Sequence, residues 1–366
     1  MARNSNAYHP DTVSPPGATL EEALAERGMT QVELAQRIEM SRKHVKQMLD
    51  GEAPITPETA LKLERVLGIP ARFWNNREQH YRDFLARKQE AVALEKKRAW
   101  LKKFKHWKRM VEFGWVPDIE DQVSRIRALL DFFGVASPDA WEHHWSAVAV
   151  RYRKSQTYEP DPCALAAWLR RGELLAQEID CEPFDEEAFR AALTYLRGLT
   201  TKPPSVFQAA LVEKCASCGV AVVFVPELPK TASGATRWLP GQKPLIQLSL
   251  KYGTDDHLWF TFFHEAGHIL LHRRSDIFIE TPSVSSAEEE EANRFAARTL
   301  VPSAALQRFL EHPSAISKTR IKAFARELGI APGIVVGRLQ HDGKLPPSHC
   351  NDLKQRFQWN LPASNR

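Results

Sequence analysis

The chain has 366 residues, of which 43% are hydrophobic and 26% charged. That is ordinary for globular protein and long enough for two or three domains, each with its own core. Residues 1–10 lack the apolar stretch of a signal peptide, and the longest apolar run is too short and too polar to span a bilayer. A cytoplasmic protein with no membrane segment is therefore expected. The net charge of +5 is unevenly spread, because residues 85–113 hold ten Lys or Arg against three Glu and leave the remainder slightly acidic.

From Thr19 to Gly68 the pattern is one of short, capped helices. Thr19 to Arg27 is amphipathic and stops at Gly28, a residue that readily takes a left-handed terminus. Thr30-Gln-Val-Glu33 is a capping box, Ser41 caps a third helix ending near Gly51, and Thr56-Pro57 opens a fourth. The short turn from Ile38 to Ser41, with small Ala35 where two helices would cross, is the pattern of a DNA-reading helix-turn-helix. The expected inward positions are Leu34, Ala35, Ile38, Met40, Val45, Met48 and Leu49.

The segment from His9-Pro10 through "LEEALAERGMTQVELAQRIEMSRKHVKQMLDGEAPITPETALKLERVLGIPARFW" resembles the HigA-type antitoxins of the Xre repressor family. The resemblance implies that Ser41 to Leu49 is the recognition helix, that Arg42, Lys43 and Gln47 face base edges, and that Gln31 touches a phosphate. The chemistry agrees: Arg or Lys can donate twice to guanine, and Gln can pair with adenine. Lys46 and His44 are better suited to the DNA backbone. Gln31, Ser41, Arg42, Lys43, Lys46 and Gln47 form the candidate DNA-binding set. Such repressors read paired half-sites, so a homodimer is expected. Residues 1–84 are close to neutral, with eleven basic and twelve acidic side chains, so a dimer or the following basic stretch must supply attraction for phosphate.

Residues 85–200 are expected to be a helical connector. Its basic beginning is either a nucleic-acid contact or a solvated face, and the Trp-rich remainder is expected to be scaffold. Five cysteines in no framework spacing fit a reducing compartment, and Cys215-Ala-Ser-Cys218, set in an apolar segment, is expected to be buried, unpaired thiols.

Residues 201–366 change character. A helix over 207–218 leads into a strand at 220–225, two further strands are expected at 233–239 and 243–250 around Pro240-Gly241, and Asp255 and Asp256 can cap a helix. That helix carries His264-Glu265-Ala266-Gly267-His268. Histidines four apart share a helical face and can hold one metal ion, with Glu265 beside it as a base. A catalytic zinc needs a third protein ligand. On a helical wheel for 287–302, Glu289 falls about 20° from the inward Ala296 on the flank shared with Asn293, whereas Glu291 lies on the opposite flank. Glu289 is the expected ligand and Glu291 the reserve. His272 breaks the spacing of a three-histidine site and is expected to be a satisfied or surface residue. Arg237, Tyr252 and His272 are low-ranked choices for stabilising an oxyanion.

The stretch "PLIQLSLKYGTDDHLWFTFFHEAGHILLH" followed by "EEEANRFAARTLVP" resembles the ImmA/IrrE family of zinc metallopeptidases. The resemblance implies zinc bound by His264, His268 and an acidic residue such as Glu289, with Glu265 as base, and a regulatory protein as substrate. Finally, "AFARELGIAPGIVVGRL" repeats the helix-turn-helix spacing of "ELAQRIEMSRKHVKQML" at an offset of 290, but Pro332 and Gly333 stand where Arg42 and Lys43 do. This hairpin is expected to keep the packing without a DNA-reading face, as a partner surface or a lid on the peptidase domain.

The expected fold class is multidomain and predominantly α. It comprises an all-α helix-turn-helix domain (1–84), the helical connector (85–200), and an α+β minimal zincin with a small sheet (201–366). The expected function is an operator-binding regulator with a zinc metalloendopeptidase domain that cleaves a regulatory protein. The alternative is an antitoxin that binds a toxin, represses its own operon, and keeps zinc for structure or sensing.

Overall fold

The computed structural model describes residues 13–152, 161–272, 278–279, 287–311 and 316–360, and of 146–152 and 278–279 only the backbone. His9-Pro10 and residues 1–10 as a whole lie outside that set. The chain divides into two compact units, 1–98 and 99–366.

The first unit contains α1 (Pro16–Glu26), α2 (Gln31–Arg37), α3 (Arg42–Leu49), α4 (Pro57–Leu67) and α5 (Ala71–Glu95). Short polar side chains start three of these helices: Thr30 accepts from the Glu33 N–H, Ser41 from His44 and Thr56 from Thr59. Leu34, Ala35, Ile38, Val45 and Met48 are buried with Leu20, Leu24, Leu63 and Trp74, while Met40 and Leu49 pack against them half-covered. At Gly17 an added Cβ would lie 2.1 Å from the Leu49 carbonyl oxygen, so this glycine lets α1 meet the end of α3.

The domain boundary expected at 84 falls within α5, whose uninterrupted run of helix formers carries it on to Glu95. The second expected boundary, at 200, also shifts. Residues 99–200 hold most of α6 (Arg98–Leu101), then α7 (Trp107–Glu112), α8 (Gln122–Phe133), α9 (Pro138–Tyr152), α10 (Pro162–Gln177) and α11 (Glu186–Gly198), all clustered with the C-terminal residues. Far from linking two domains, α10 is one layer of the second. Trp168 Nε1 donates to the Val225 carbonyl (3.2 Å), Gln247 Nε2 to Trp168 (2.7 Å) and Arg237 to Leu169 (2.6 Å).

Beyond α12 (Pro204–Ala216) come β1 (Ala221–Phe224), β2 (Gly234–Leu239) and β3 (Lys243–Leu248), then α13 (Asp255–Leu271) and the two-residue β4 (Phe278–Ile279). The strand order is β1-β3-β2-β4, with β1 parallel to β3 and the other pairs antiparallel. One face receives α10. The other packs Val222, Ile246 and Leu248 against Phe262, Phe263 and Ala266 of α13. Nearly every α13 residue from Leu258 to Leu270 is buried, as expected of a helix apolar on all sides. The remaining helices are α14 (Ala287–Leu300), α15 (Ser303–Glu311), α16 (Lys318–Leu328) and α17 (Pro332–His341).

Asp255 and Asp256 do not cap α13 as expected; Thr254 holds the N-cap position without a side-chain bond. Both acids are buried because they fasten the C-terminal segment. Asp255 Oδ1 accepts from the Gln355 N–H (3.0 Å), and Asp256 pairs with Lys354 (2.7 Å). Cys215 and Cys218 are buried and free, and burial pushes the Cys215 thiol well above its usual value. Among the described residues, no helix is long and apolar enough to cross a membrane.

Candidate metal centre and nucleic-acid interface

The candidate metal centre lies where α13 crosses α14. At Gly267 an added Cβ would lie 3.2 Å from Phe295 Cδ1 and 3.3 Å from Ala292 Cα, so the motif glycine permits the close approach that brings α14 to the histidines. His264 Nε2 and His268 Nε2 lie 3.0 Å apart. Glu289 Oε2 is 3.2 Å from the first and Oε1 is 3.6 Å from the second. A tetrahedral zinc with bonds near 2.0–2.1 Å holds its ligand atoms roughly 3.3 Å apart. These three residues are also the one cluster among the described residues whose ligand atoms are grouped closely enough to hold a metal ion.

The protonation states suit such an ion. Burial alone would raise Glu289, but its contacts with the imidazoles of His264 and His268 outweigh burial and hold the carboxyl at about 2. Burial also lowers His268, so a neutral imidazole faces an ionised carboxylate, the forms in which both groups ligate metals. Asn293 Oδ1 lies 3.0 Å from His264 Nδ1; as an acceptor it places the proton there and leaves Nε2 bare. His268 Nδ1 lies 2.9 Å from His272 Nδ1, and His272 Nε2 is 3.4 Å from Glu291 Oε2.

Glu265 is wholly buried beside this cluster. Its carboxylate fits because β2 begins with glycine: a Cβ at Gly234 would lie 2.6 Å from Glu265 Oε1 and 2.4 Å from Thr261 Cγ2. Thr236 Oγ1 donates to the Glu265 carbonyl (3.1 Å) and ties the motif helix to β2. A shallow recess opens one turn earlier along α13, lined among others by Ser233, Ser249, Tyr252, Leu258 and Thr261. Tyr252 stacks on His257 at its rim, with ring centroids 4.4 Å apart.

Two sequence expectations change here. Arg237 is no candidate for an oxyanion, because strand alternation turns it to the α10 side, where it bonds Leu169 and lies 3.6 Å from Glu173. Burial lowers its guanidinium to about 10. Glu291, the reserve ligand, is drawn to His272 instead of joining the cluster. Asn293 was visible on the wheel only as a neighbour of Glu289. Its bond to His264 depends on how deeply α14 crosses α13, which periodicity does not specify.

In the first unit, Gln31, Ser41, Arg42, Lys43 and Lys46 are exposed along one side of α2 and α3, and Gln47 is half-buried among them. The turn between the helices is tight: Glu39 has φ 55°, and the Met40 N–H donates to the Ala35 carbonyl (2.9 Å).

Residues 20–74 match the helix-turn-helix family model, and residues 217–340 match the IrrE N-terminal-like domain of the M78 peptidases. The chain joins a helix-turn-helix domain to an IrrE N-terminal-like domain. The curated relatives include an uncharacterized HTH-type transcriptional regulator, YddM, of Escherichia coli K12, 34% identical over 61 residues. That alignment spans 17% of this chain and 65% of the relative. A solved structure of an addiction module antidote protein of the HigA family from Coxiella burnetii is 31% identical. It covers 23% of this chain and 91% of its own, with a TM-score of 0.21. The IrrE-like domain contains β1, β2, β3, α13 and α14, and with them every residue of the metal cluster.

Proposed function

We propose that the protein is a DNA-binding transcriptional regulator whose IrrE-like domain is a zinc-dependent endopeptidase acting on a regulatory protein. The observation that carries this reading is the convergence of His264, His268 and Glu289 beside the buried carboxylate of Glu265. Two imidazoles and one carboxylate leave one position of a tetrahedral ion open, which is the donor set of catalytic rather than structural zinc. Bound there, zinc would acidify water and polarise a peptide carbonyl. Glu265 takes the proton from the attacking water and delivers it to the leaving amine. Thr236, bonded to the Glu265 carbonyl, keeps that turn of α13 fixed against β2.

Operator recognition falls to Arg42, Lys43 and Gln47, with Gln31, Ser41 and Lys46 toward the phosphates. A homodimer supplies the second half-site and doubles the contribution of a domain that is nearly neutral by itself. A nearby-encoded repressor fits as the protein partner, and the cytoplasm as the compartment.

Glu265→Gln tests the chemistry. The variant is expected to keep one zinc per chain by elemental analysis. New peptide termini found by mass spectrometry in cells making the wild-type protein are expected to disappear in cells making the variant. Equal termini in both would overturn the peptidase reading. His264→Ala is expected to lose the zinc.

A further inference from the structure

We propose that Lys102, Lys105 and Lys108, displayed on α7 and the turn that leads into it from α6, form a second nucleic-acid contact that grips duplex phosphates without regard to base sequence. The inference rests on the DNA-binding reading above and adds a surface outside the helix-turn-helix domain.

Residues 99–113 carry five Lys or Arg and a single Glu. Buried and exposed positions alternate along them with a period near three. Phe104, Trp107 and Met110 are buried, whereas Lys102, Lys103, Lys105, Lys108 and Arg109 are exposed. The buried side is an aromatic wedge. Ring centroids put Phe104 at 4.8 Å from Trp100, 5.6 Å from Phe133 and 5.3 Å from Trp141. Packing of those rings fixes the backbone beneath the charges, so the segment that carries the lysines is held in place before any partner arrives.

Two of the five cations are offset locally. Lys103 pairs with Glu142, and Arg109 with Glu112 at 2.7 Å. The nearby Asp161 is occupied: Oδ1 accepts from the Cys163 and Ala164 N–H groups at the start of α10, and Oδ2 lies 3.5 Å from His106 Nε2. Among the described residues, Lys102, Lys105 and Lys108 have no ion-pair partner. Three such ammonium groups within seven residues repel one another, and an anionic partner turns that repulsion into attraction.

The chemistry selects the partner. Lysine is a compact point charge that suits phosphate without demanding a planar, bidentate geometry. No large apolar side chain of residues 99–113 is exposed. A lipid surface would be held by inserted apolar groups, and a single strand by stacking on exposed aromatic rings. A double helix needs neither and fits this face. The helix-turn-helix domain also leaves the phosphate attraction to be supplied elsewhere, since residues 1–84 carry eleven basic and twelve acidic side chains.

The test uses the full chain carrying Lys102→Gln, Lys105→Gln and Lys108→Gln together. Binding to a duplex selected by the protein from a random pool, and to a scrambled duplex of equal length, is followed by fluorescence anisotropy between about 50 and 200 mM salt. Each lost phosphate contact flattens the slope of log affinity against log salt by about 0.9. Three should flatten it by about 2.7, so over this range the variant should lose about 40-fold less affinity than the wild type, on both duplexes. All three positions are exposed, so thermal unfolding should match that of the wild type. Lys322→Gln, Arg326→Gln and Lys344→Gln together remove the same charge from exposed positions elsewhere and should leave the slope unchanged.

A wild-type slope in the first triple variant would overturn the proposal, and so would equal flattening by the second, which would reduce the effect to net charge. Weakening confined to the selected duplex would assign these lysines to base reading instead of phosphates. Loss of binding to phosphatidylglycerol vesicles, with both duplexes bound as before, would transfer the face to a membrane. Failure of the wild-type chain to bind either duplex would remove the DNA-binding reading itself.

Discussion

Two hairpins in this molecule share one local fold and differ in what they leave open. At an offset of 290, α2 and α3 correspond to α16 and α17, and the turns agree in detail. Glu39 (φ 55°) is matched by Gly329 (φ 68°). The Met40 N–H bond to the Ala35 carbonyl (2.9 Å) is matched by Ile330 to Ala325 (3.0 Å). The same inward positions are filled, Leu34, Ala35 and Ile38 by Phe324, Ala325 and Leu328. Yet Arg42 and Lys43 stand in solvent, whereas Gly333 is buried against Asp255. A Cβ at Gly333 would lie 2.3 Å from Asp255 Oδ1, and one at Gly337 would lie 2.5 Å from Asp256 Oδ2. The glycines, one helical turn apart, let α17 seat on the start of α13. The spacing that makes a helix-turn-helix is therefore a packing device, and only the side chains at the first turn of the second helix decide whether it presents a surface or closes a core. The first turn of the C-terminal hairpin's second helix covers the N-terminal end of the helix that carries the histidine motif.

The largest effect should come from making one substitution at both corresponding positions. Gly333→Leu overfills a site bounded by the fastened Asp255 side chain and should cost about 3 kcal/mol or more. Lys43→Leu, at an exposed position, should change stability by less than about 0.5 kcal/mol. Chemical denaturation of the full chain, followed separately for the two units, checks both. Comparable losses would mean that the two hairpins are not packed differently.

Asp255 sharpens the same contrast through pH. Burial, with Asp256 alongside, raises its carboxyl from 3.8 to about 6, against backbone hydrogen bonds from Gln355 and Asp256 that act the other way. A carboxyl with a higher pKa folded than unfolded binds its proton more tightly in the folded state. Its penalty is therefore absent below the unfolded value, grows as pH rises, and is complete above about 6. A shift of this size corresponds to about 3 kcal/mol. Asp255→Asn keeps an oxygen for the Gln355 N–H and should be the more stable protein at pH 8, with the difference vanishing near pH 4. A variant no more stable than wild type at pH 8 would contradict a penalised carboxylate beneath α17.

Much of this contrast was readable in the sequence, and what was not has a physical cause. Caps at Thr30, Ser41 and Thr56, the breaks at Gly28 and Gly68, and the apolar spacing of α2 and α3 are local signals, and the helices follow them. Pro332 and Gly333 correctly announced a hairpin without long polar side chains at its first turn. What they packed against was hidden, because α13 lies some seventy residues earlier and tertiary contact leaves no local signature. The same limit explains the domain boundaries. Helix-forming composition through 85–95 gave no stop at 84, and the docking of α10 depends on Gln247 and Arg237, distant strand residues whose partners are backbone carbonyls. At the metal cluster, a helical wheel separated Glu289 from Glu291 because both lie on one regular helix. It did not show His272 linking His268 to Glu291, since α13 ends at that residue and helical periodicity ends with it.

A smaller difference is expected in DNA affinity. With a duplex selected by the protein from a random pool, Arg42→Ala or Lys43→Ala should each weaken specific binding by about 1–3 kcal/mol, roughly 5- to 150-fold. Lys322→Ala combined with Arg326→Ala removes two exposed cations from α16 and should leave that affinity unchanged. Loss in the second variant with retention in the first would move the DNA-reading face to the other hairpin.

The smallest expected effect concerns how the two second helices begin. Ser41 Oγ accepts from the His44 N–H (3.2 Å), closing the first turn of α3 from within. Ala331 holds the same position before α17, offers no side-chain acceptor, and instead donates its own N–H to Thr200 Oγ1 (3.2 Å). A helix whose first turn is exposed has no neighbouring layer to satisfy its first N–H groups and must carry its own cap, whereas a helix that starts inside the fold can rely on its surroundings. Ser41→Ala should therefore cost about 1 kcal/mol, confined to the unfolding of the first unit. Ser41→Asp, which restores an acceptor and adds charge at the positive end of the helix, should recover that loss. Failure of aspartate to recover stability would mean that packing from α1 and α2, and not the cap, holds the start of α3.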